Sequence, residues 1–445
     1  MFQKNSQITT GLLPEKMNKN CTVQAGKYSQ LFSNFVTQGS RSKITAFLFL
    51  VIFLAGSGCE DSGFVGGDVE PGDDKVSTTE IELTDLTLLS EEGFSGRLAS
   101  TGMGIVDDPA FGRVWSAALL KPSISQDNLD EFDEDSELKL RLVFNSLKYG
   151  DETSVSEYHI YEVDRRWRGN ELTFNNPVSY DDSNLIGSFQ VTDETSKDVE
   201  LSEEWVDRYR QYFNSDAANR DSLYTFEFPG IAVVPADQNQ RLDYLRHQPA
   251  ESDTAGTEVT RFRIENEEDS LFVNMPLLDW GASMERDDDG VDEDDSFILH
   301  NTYEKILELD LDIDESQFVG QDIINAQLVF HVDQEPETTK PAGFARPNPA
   351  LLRYHIFNAD PLDLPAELFT TGATGSSTLN TDENFYQINI TNYFLNDLYG
   401  SAEATPIYIS LQTNNGLLYS SRFFNENGPA ERTPKLIITT INSEN

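Results

Sequence analysis

Short runs of alternating apolar and polar residues recur along most of the chain after residue 76. Five of these runs cover residues 80–83, 138–142, 224–228, 260–264 and 407–409. A period of two, with β-branched and aromatic residues bounded by Gly, Asn, Asp and Pro, is typical of half-buried strands in antiparallel sheets. The pattern therefore predicts an all-β fold made of antiparallel, jelly-roll-like β-sandwiches.

An internal repeat predicts two such sandwiches in tandem. Three segments recur in the same order, with residues 142–144 matching 328–330, 158–164 matching 354–360 and 199–206 matching 388–395. The third segment predicts a short helix in each copy, capped by the hydroxyl of Ser202 or Thr391 and anchored by Trp205 or Phe394. We expect the first sandwich over residues 77–265 and the second over residues 266–445.

The start of the chain predicts an exported protein. A basic segment leads into an apolar run of 12 residues, 44–55, which suits the core of a signal peptide and is too short to cross a bilayer as a helix. Residues 1–58 are therefore predicted to be a signal peptide, with translation starting at Met1 or Met17. Residues 59–76 are rich in Gly and acidic residues and are predicted to be a flexible tether.

Gly56-Ser57-Gly58-Cys59 resembles the lipobox of bacterial lipoproteins, in which small residues precede a cysteine that is lipidated. It departs from that pattern at Gly56, where Leu is usual, and the alternative is ordinary cleavage that yields a secreted or periplasmic protein. Lipidation of Cys59 is favoured because the other cysteine, Cys21, lies in the removed segment. The Glu60-Asp61 that follow resemble an export signal, which implies a membrane-anchored protein on the outer face of an outer membrane.

The net charge of the chain excludes one class of function. The formal net charge is −45, from 77 acidic and 32 basic side chains, which excludes nucleic-acid binding through a basic surface. Hydrophobic residues make up 38% of the chain, so this acidic protein can bury hydrophobic cores and is not a disordered acidic tail. Such an excess favours a surface adapted to high salt, where charges are screened over short distances.

Two segments resemble known families. Residues 167–177, with the sequence WRGNELTFNNP, are similar to a conserved segment of DNRLRE-type β-sandwich domains, and the second copy has no counterpart. Residues 104–112 end in Asp-Pro-Ala-Phe-Gly and resemble the D-P-x-F-G stretch of tandem surface lipoproteins. The resemblance implies non-catalytic proteins associated with extracellular polysaccharide or matrix, an analogy of fold rather than of site.

Tryptophans are candidate platforms for sugar rings, because an apolar sugar face packs on an aromatic ring. Trp167 and Trp205 are predicted to be structural. Trp115 and Trp280 are the candidate ligand-binding residues, since Trp115 follows the D-P-x-F-G stretch and Trp280 precedes an acidic loop.

Residues 285–296 contain the densest cluster of acidic side chains and are a candidate calcium loop, with Asp287, Asp289 and Asp292 as its ligands. An EF-hand needs a bidentate Glu at its twelfth position, where this chain has Ser296. The alternatives are therefore a looser calcium site and a solvated acidic loop. No other cofactor is predicted.

Two function classes remain. The sequence holds no G-x-S-x-G, H-E-x-x-H or G-x-x-x-x-G-K-[ST] motif, and the repeated His159 and His355 are interpreted as structural. The favoured hypothesis is a non-catalytic surface lipoprotein that binds extracellular polysaccharide, matrix or a partner protein. The alternative is a polysaccharide hydrolase or lyase that uses a pair of carboxylates among the many acidic residues.

Overall fold

The structure is a computed structural model. It describes residues 75–84, 86–90, 93–124, 131–174, 177–249, 258–266, 271–289, 291, 293–311, 313–318, 320–357, 372–399, 405–412 and 414–442. The predicted signal peptide, Cys59 and the predicted tether as far as residue 74 lie outside the described residues, and so does Asp292.

The first repeat forms eleven strands among the described residues: β1 Lys75–Glu82, β2 Thr87–Ser90, β3 Ser100–Asp108, β4 Gly112–Pro122, β5 Glu137–Asp151, β6 Ser156–Val163, β7 Tyr180–Val191, β8 Ser196–Glu200, β9 Ile231–Pro235, β10 Arg241–Arg246 and β11 Arg261–Asn266. Two helices, α1 Glu203–Phe213 and α2 Arg220–Glu227, connect β8 to β9. A 3-10 turn covers Gly169–Glu171.

The second repeat forms twelve strands among the described residues: β12 Leu271–Met275, β13 Leu277–Asp287, β14 Ser296–His300, β15 Lys305–Leu309, β16 Asp322–His331, β17 Phe344–Ala345, β18 Leu351–Ile356, β19 Gly375–Thr378, β20 Phe385–Asn389, β21 Ile407–Leu411, β22 Ser420–Phe424 and β23 Lys435–Asn442. The helices in its described part are α3 Glu335–Thr339 and α4 Thr391–Tyr399, with a 3-10 turn at Glu315–Phe318. None of the described helices is long and apolar enough to cross a membrane.

Strands β3 to β13 build a first sandwich, called lobe 1. Its two layers are joined at β5, which pairs with β10. One layer runs β12-β11-β5-β8; in the other, larger sheet β10, β3, β4, β9, β6 and β7 follow one another and β13 pairs along β4. The two-residue strand β17 of the second repeat also pairs with β5. Leu140 and Phe262 from the first sheet meet Leu120, Tyr158 and Val233 from the second in one buried core. All the pairings are antiparallel, as the alternating pattern predicts.

Strands β1, β2, β14 to β16 and β18 to β23 build a second sandwich, called lobe 2. Its four-stranded sheet runs β1-β23-β16-β20, and its other layer holds the sheet β19-β18-β21-β15-β2 beside the pair β14-β22. The core again lies between the layers, with Leu328 and Ile438 against Leu307, Leu352 and Ile409. The prediction of an all-β fold of antiparallel sandwiches is confirmed.

Apart from β17, which has no counterpart in the first repeat, the two repeats correspond strand for strand, with one exchange. β5 lies between β11 and β8 as β16 lies between β23 and β20, and β9 lies between β4 and β6 as β21 lies between β15 and β18. By the same correspondence, β12 and β13 are the equivalents of β1 and β2. The first two strands of each repeat, called its opening strands, therefore complete the sandwich that the other repeat builds.

This exchange corrects the predicted domain limits of 77–265 and 266–445. The repeats do meet near residue 266, but β1 and β2 pair with β23 and β15, and β12 and β13 pair with β11 and β4. All the described residues belong to one compact unit. Repetition in the sequence shows which segments are equivalent, whereas strand pairing decides which segments share a core, and here the two differ.

Two local predictions were also wrong. Residues 224–228 lie mainly in α2 rather than in a strand, because Tyr224 and Phe228 stand four residues apart and stack with their ring centroids 4.9 Å apart. The hydroxyls do not cap the helices as predicted. The side chain of Ser202 makes no capping hydrogen bond, and Thr391 Oγ1 accepts from the backbone N–H of Ala326. The aromatic anchors Trp205 and Phe394 are buried, as predicted.

The lobes share a buried interface. Tyr149, Tyr244 and Phe174 of lobe 1 pack with Leu417 and Leu418, which lie in the connection before β22 of lobe 2. A polar contact supports this apolar one, since the backbone N–H of Leu418 donates to the hydroxyl of Tyr244 at 3.3 Å. Burial of apolar side chains from both repeats stabilises the lobes as one unit.

Candidate functional site

The larger sheet of lobe 1 is apolar on both faces. Along β4, Ala118 and Leu120 face the sandwich core, while Ala117 and Leu119 face outward into a separate cluster. The connection between β6 and β7 covers this outer face with Leu172 and other apolar side chains. A strand buried on both faces has a continuous apolar sequence, which explains the run from Ala117 to Leu120.

Trp167 is the largest side chain of this covering segment. It is 5% exposed, and its indole Nε1 donates to the carbonyl oxygen of Pro229 at 2.6 Å. It is therefore structural, as predicted, although it packs on the outer face of the sheet rather than between the two sheets. Trp205, which is 1% exposed in the core of lobe 1, is structural as well.

An open groove lies where this cover ends. Trp115 and Tyr180 are half-buried in it, and its volume is about 700 Å³. Its other lining residues are Arg113, Pro177, Val178, Ser179, Ser283, Glu285, Arg286 and Asp287. We call it the Trp115 groove. Its size lies in the range of small-molecule sites.

The Trp115 groove is built from both repeats. Trp115 pairs with Ile105 on β3 and with Glu285 on β13, an opening strand of the second repeat. Tyr180 belongs to the first repeat and stacks on Tyr161, with ring centroids 5.5 Å apart and an interplanar angle of 11°. The exchange therefore brings two candidate residues that the sequence placed in different domains, Trp115 and Asp287, into one site.

The polar rim of the groove carries both signs of charge. Glu285 and Asp287 are exposed, and so is Arg113, whose Nε lies 3.7 Å from Asp107 Oδ1. Arg286 is 8% exposed and pairs with Glu304 at 3.1 Å.

The phenol of Tyr180 stays protonated at neutral pH. Burial raises its pKa, and nearby Tyr161 and acidic groups, Glu285 among them, raise the pKa further.

Trp280 lies outside the Trp115 groove. Its indole Nε1 donates to the carbonyl oxygen of Leu98 at 2.7 Å, and its ring centroid is 5.5 Å from that of His247. It lines a separate cavity of about 460 Å³ with Pro276 and Leu277. Burial lowers the pKa of His247 to about 3, so its imidazole is neutral at physiological pH.

The acidic loop has a side-chain cation as its partner. Lys305 Nζ lies 3.0 Å from Asp288 Oδ2 and 2.8 Å from Glu293 Oε1. The carboxylate of Asp287 accepts from the backbone N–H of Asp289 instead of turning toward a common centre with it. In the part of the chain that the structure describes, no group of three or more His, Cys, Asp or Glu is placed to hold a metal ion.

The two repeated histidines have different environments. His159 is partly exposed, and its Nε2 is 3.9 Å from Glu157. His355 is buried, with Nδ1 3.0 Å from the carbonyl oxygen of Gly372 and Nε2 3.2 Å from Ser410 Oγ. Burial lowers the pKa of His355 to about 4. With both ring nitrogens engaged inside the fold, His355 has a structural environment, as the sequence interpretation held.

The Asp-Pro-Ala-Phe-Gly segment has a structural task that the sequence did not reveal. Asp108 is fully buried and makes a bidentate pair with Arg346, through Nε at 2.8 Å and through the second guanidinium nitrogen at 2.7 Å. Tyr149 donates its hydroxyl to the same carboxylate at 2.8 Å, and Arg346 lies over the ring of Phe111. Since Asp108 belongs to lobe 1 and Arg346 to the second repeat, this cluster joins the repeats.

These features define a class: an all-β protein of two sandwich lobes with exchanged opening strands and an open aromatic groove. No protein family model matches the chain, and no curated protein matches it. Among solved structures, the VP2 subviral particle of infectious bursal disease virus aligns with 11% identity over 83% of this chain and 76% of that one. Its TM-score of 0.11 carries no argument about this fold. The resemblance to DNRLRE-type domains stays a prediction.

Proposed function

We propose that the protein is a lipid-anchored, non-catalytic binding protein on the outer face of an outer membrane. Its ligand would be extracellular polysaccharide, matrix or a partner protein. The observation that carries the proposal is the order of segments along the sequence. An apolar run ends in Gly56-Ser57-Gly58-Cys59, and a segment rich in Gly and acid separates it from the sandwich lobes.

Anchoring follows from the position of Cys59. It is the only cysteine after the predicted signal peptide, so it has no partner within the mature chain for a disulfide. One acyl chain holds a protein to a membrane weakly, whereas two or more hold it stably. The multiply acylated cysteine of bacterial lipoproteins would therefore anchor the lobes permanently.

Binding is favoured over catalysis by the state of the carboxyl groups. A glycosidase needs one carboxyl whose pKa is raised so that it can donate a proton. Where a described carboxyl has a clearly shifted pKa, the shift is downward, as in Asp181, which accepts hydrogen bonds from Ser183, and in Glu258 beside Arg141. Each of these groups is held in its charged form.

A cleft of about 570 Å³ that is lined by several carboxylates is consistent with the same interpretation. It lies between α1, α2 and the strands β6 and β7, with Glu162 and Glu227 among its lining residues. Glu162 pairs with Arg208 at 2.6 Å, and Tyr212 donates to Glu227 at 3.3 Å. Both carboxylates therefore already have polar partners within the fold.

Replacement of Cys59 tests the anchor. We expect Cys59→Ala to abolish incorporation of radiolabelled palmitate and to release the protein from the outer-membrane fraction. Cys21→Ala is the matched control, because it removes a thiol upstream of the proposed cleavage site and should change neither result. Recovery of the Cys59 variant in the outer membrane at the control level would contradict the proposal. For the surface location, protease added to intact cells should degrade the anchored protein.

A further inference from the structure

We infer that the Trp115 groove binds an uncharged polysaccharide chain; this inference specifies the ligand class of the function proposed above. It rests on the placement of two aromatic rings, on the polar rim around them and on the charge balance of the groove.

The aromatic rings are fixed before any ligand arrives. The backbone of Trp115 is paired on both sides, by β3 and β13, and its ring packs partly against the outer apolar cluster of lobe 1. Tyr180 is held by its stacking on Tyr161. Rigid rings lose little conformational entropy on binding, so they can give useful affinity to a shallow, open surface.

The polar rim suits hydroxyl groups. The exposed carboxylates of Glu285 and Asp287 accept hydrogen bonds, whereas the exposed guanidinium of Arg113 donates them. A sugar presents hydroxyls that can donate and accept, together with an apolar face that packs on an aromatic ring. The combination of half-buried rings and a mixed polar rim therefore matches a sugar chain better than a purely apolar ligand.

Charge selects among sugars. The cations of the groove already have acidic neighbours, since Arg286 pairs with Glu304 and Arg113 lies near Asp107. Glu285 and Asp287 add negative charge to the rim, and the whole chain carries −45. A polyanion would be repelled from the surface, and a polycation would bind the acidic surface at many places rather than in this groove. An uncharged polysaccharide would be neither repelled from the acidic surface nor bound at many places on it.

The test is affinity electrophoresis and calorimetry with the full chain purified in detergent. The probes are laminarin, mannan, xylan and starch as uncharged chains, alginate as a polyanion and chitosan oligomers as a polycation. We expect at least one uncharged polysaccharide to bind, and binding to fall about tenfold or more in Trp115→Ala. Phe226→Ala is the matched control, because Phe226 is 51% exposed and lies on α2, outside the groove.

A second variant covers the case in which Trp115→Ala lowers the melting temperature. Glu285→Gln keeps the shape of an exposed side chain on the rim, and it should weaken binding of the same polysaccharide without changing the melt. The inference is overturned if no uncharged chain binds, if alginate is the ligand, or if both variants bind like the control. Such a failure leaves palmitate labelling of Cys59 unaffected, so it is distinguishable from failure of the proposed anchor.

Discussion

At the scale of single residues, the buried pair of Asp108 and Arg346 shows how one side chain joins the two repeats. Arg346 is 2% exposed and Asp108 is fully buried, so neither charge is screened by water. The pairing of Asp108 raises the pKa of Arg346 against the effect of burial, and the guanidinium stays charged. The carboxylate and its partners therefore act as one unit, and removal of either charge leaves the other buried.

We expect Asp108→Asn to lower the free energy of unfolding by about 3 kcal/mol, the lower end of the range for breaking a buried pair. We expect the lower end because the guanidinium of Arg346 still has the carboxylate of Glu337 as a partner, 3.1 Å away. Asp107→Asn is the control, since Asp107 is 74% exposed and exposed substitutions usually stay within about 0.5 kcal/mol. Urea unfolding at pH 7 measures both. Equal stability of the two variants would show that the pair does not hold the repeats together.

Buried histidines make stability depend on pH. Burial lowers the folded-state pKa of His247 to about 3 and of His355 to about 4, whereas an unfolded histidine titrates near 6.5. Below pH 6.5 the unfolded chain therefore binds protons that the folded chain does not. Stability is full above pH 6.5 and falls as the pH drops toward 4, by up to about 1.4 kcal/mol per pH unit for each histidine.

The change His355→Gln should make the loss of stability between pH 7.5 and pH 5.0 smaller than in the parent. His159→Gln is the control, because the side chain of His159 is 31% exposed. Urea unfolding at the two pH values gives the difference directly, independent of any constant cost of the substitution. If His355→Gln and the parent lose the same stability, His355 is not neutral in the folded protein.

The sequence indicated part of the site at this scale. Trp115 stood out because it follows the Asp-Pro-Ala-Phe-Gly segment, and Asp287 because it begins an acidic run. Nothing in the sequence placed Tyr180 or Glu285 beside Trp115. Arg346 gave no signal either, since it lies 238 residues from Asp108 and only the folded chain brings them together.

At the scale of elements, the covering segment between β6 and β7 shields the outer apolar face of the larger sheet of lobe 1 from solvent. Its Leu172 and Val178 pack with Trp167 against Ala232 and Val234 of β9. Without this cover, a sheet that is apolar on both faces would expose a patch large enough to favour aggregation.

Replacement of Trp167 tests the role of the cover. We expect Trp167→Ala to lower the free energy of unfolding by about 3 to 5 kcal/mol, the usual range for removing a large buried aromatic side chain. Thermal melting of the full chain measures the effect. Tyr399→Ala is a suitable control, because Tyr399 is 66% exposed at the end of α4. A Trp167 variant that melts like the control would mean that the cover contributes little.

Strands with clear alternation were predictable at this scale, and short ambiguous runs were not. Leu138 to Leu142 and Thr260 to Ile264 gave strands because every second side chain enters the core of lobe 1. The run Tyr224 to Phe228 satisfies a period of two and a spacing of four equally well. Its helix is selected by the aromatic cluster that Tyr224 joins with Tyr209 and Phe228, which is tertiary information.

At the scale of the whole molecule, the exchange of opening strands explains why residue 266 separates repeats but not lobes. Strand β1 pairs with β23 at the other end of the described chain, from Lys75 with Asn442 to Glu82 with Lys435. Composition does not show whether an opening strand pairs with a strand of its own repeat or with one of the other repeat. The sequence therefore does not distinguish an exchanged pairing from a local one. The Trp115 groove depends on this exchange, because β13 supplies Glu285 and Asp287 beside Trp115.

The most direct test compares two fragments. Residues 93–287 contain all the strands from β3 to β13, whereas residues 75–266 contain the first repeat and leave β4 and β11 without β13 and β12; both fragments lack β17. Both fragments lack Arg346 and the residues around Leu417, so the comparison isolates the opening strands. We predict that residues 93–287 unfold in one cooperative thermal transition, and that residues 75–266 show none or melt at a much lower temperature. A more stable fragment 75–266 would contradict the exchange and the groove that is built on it.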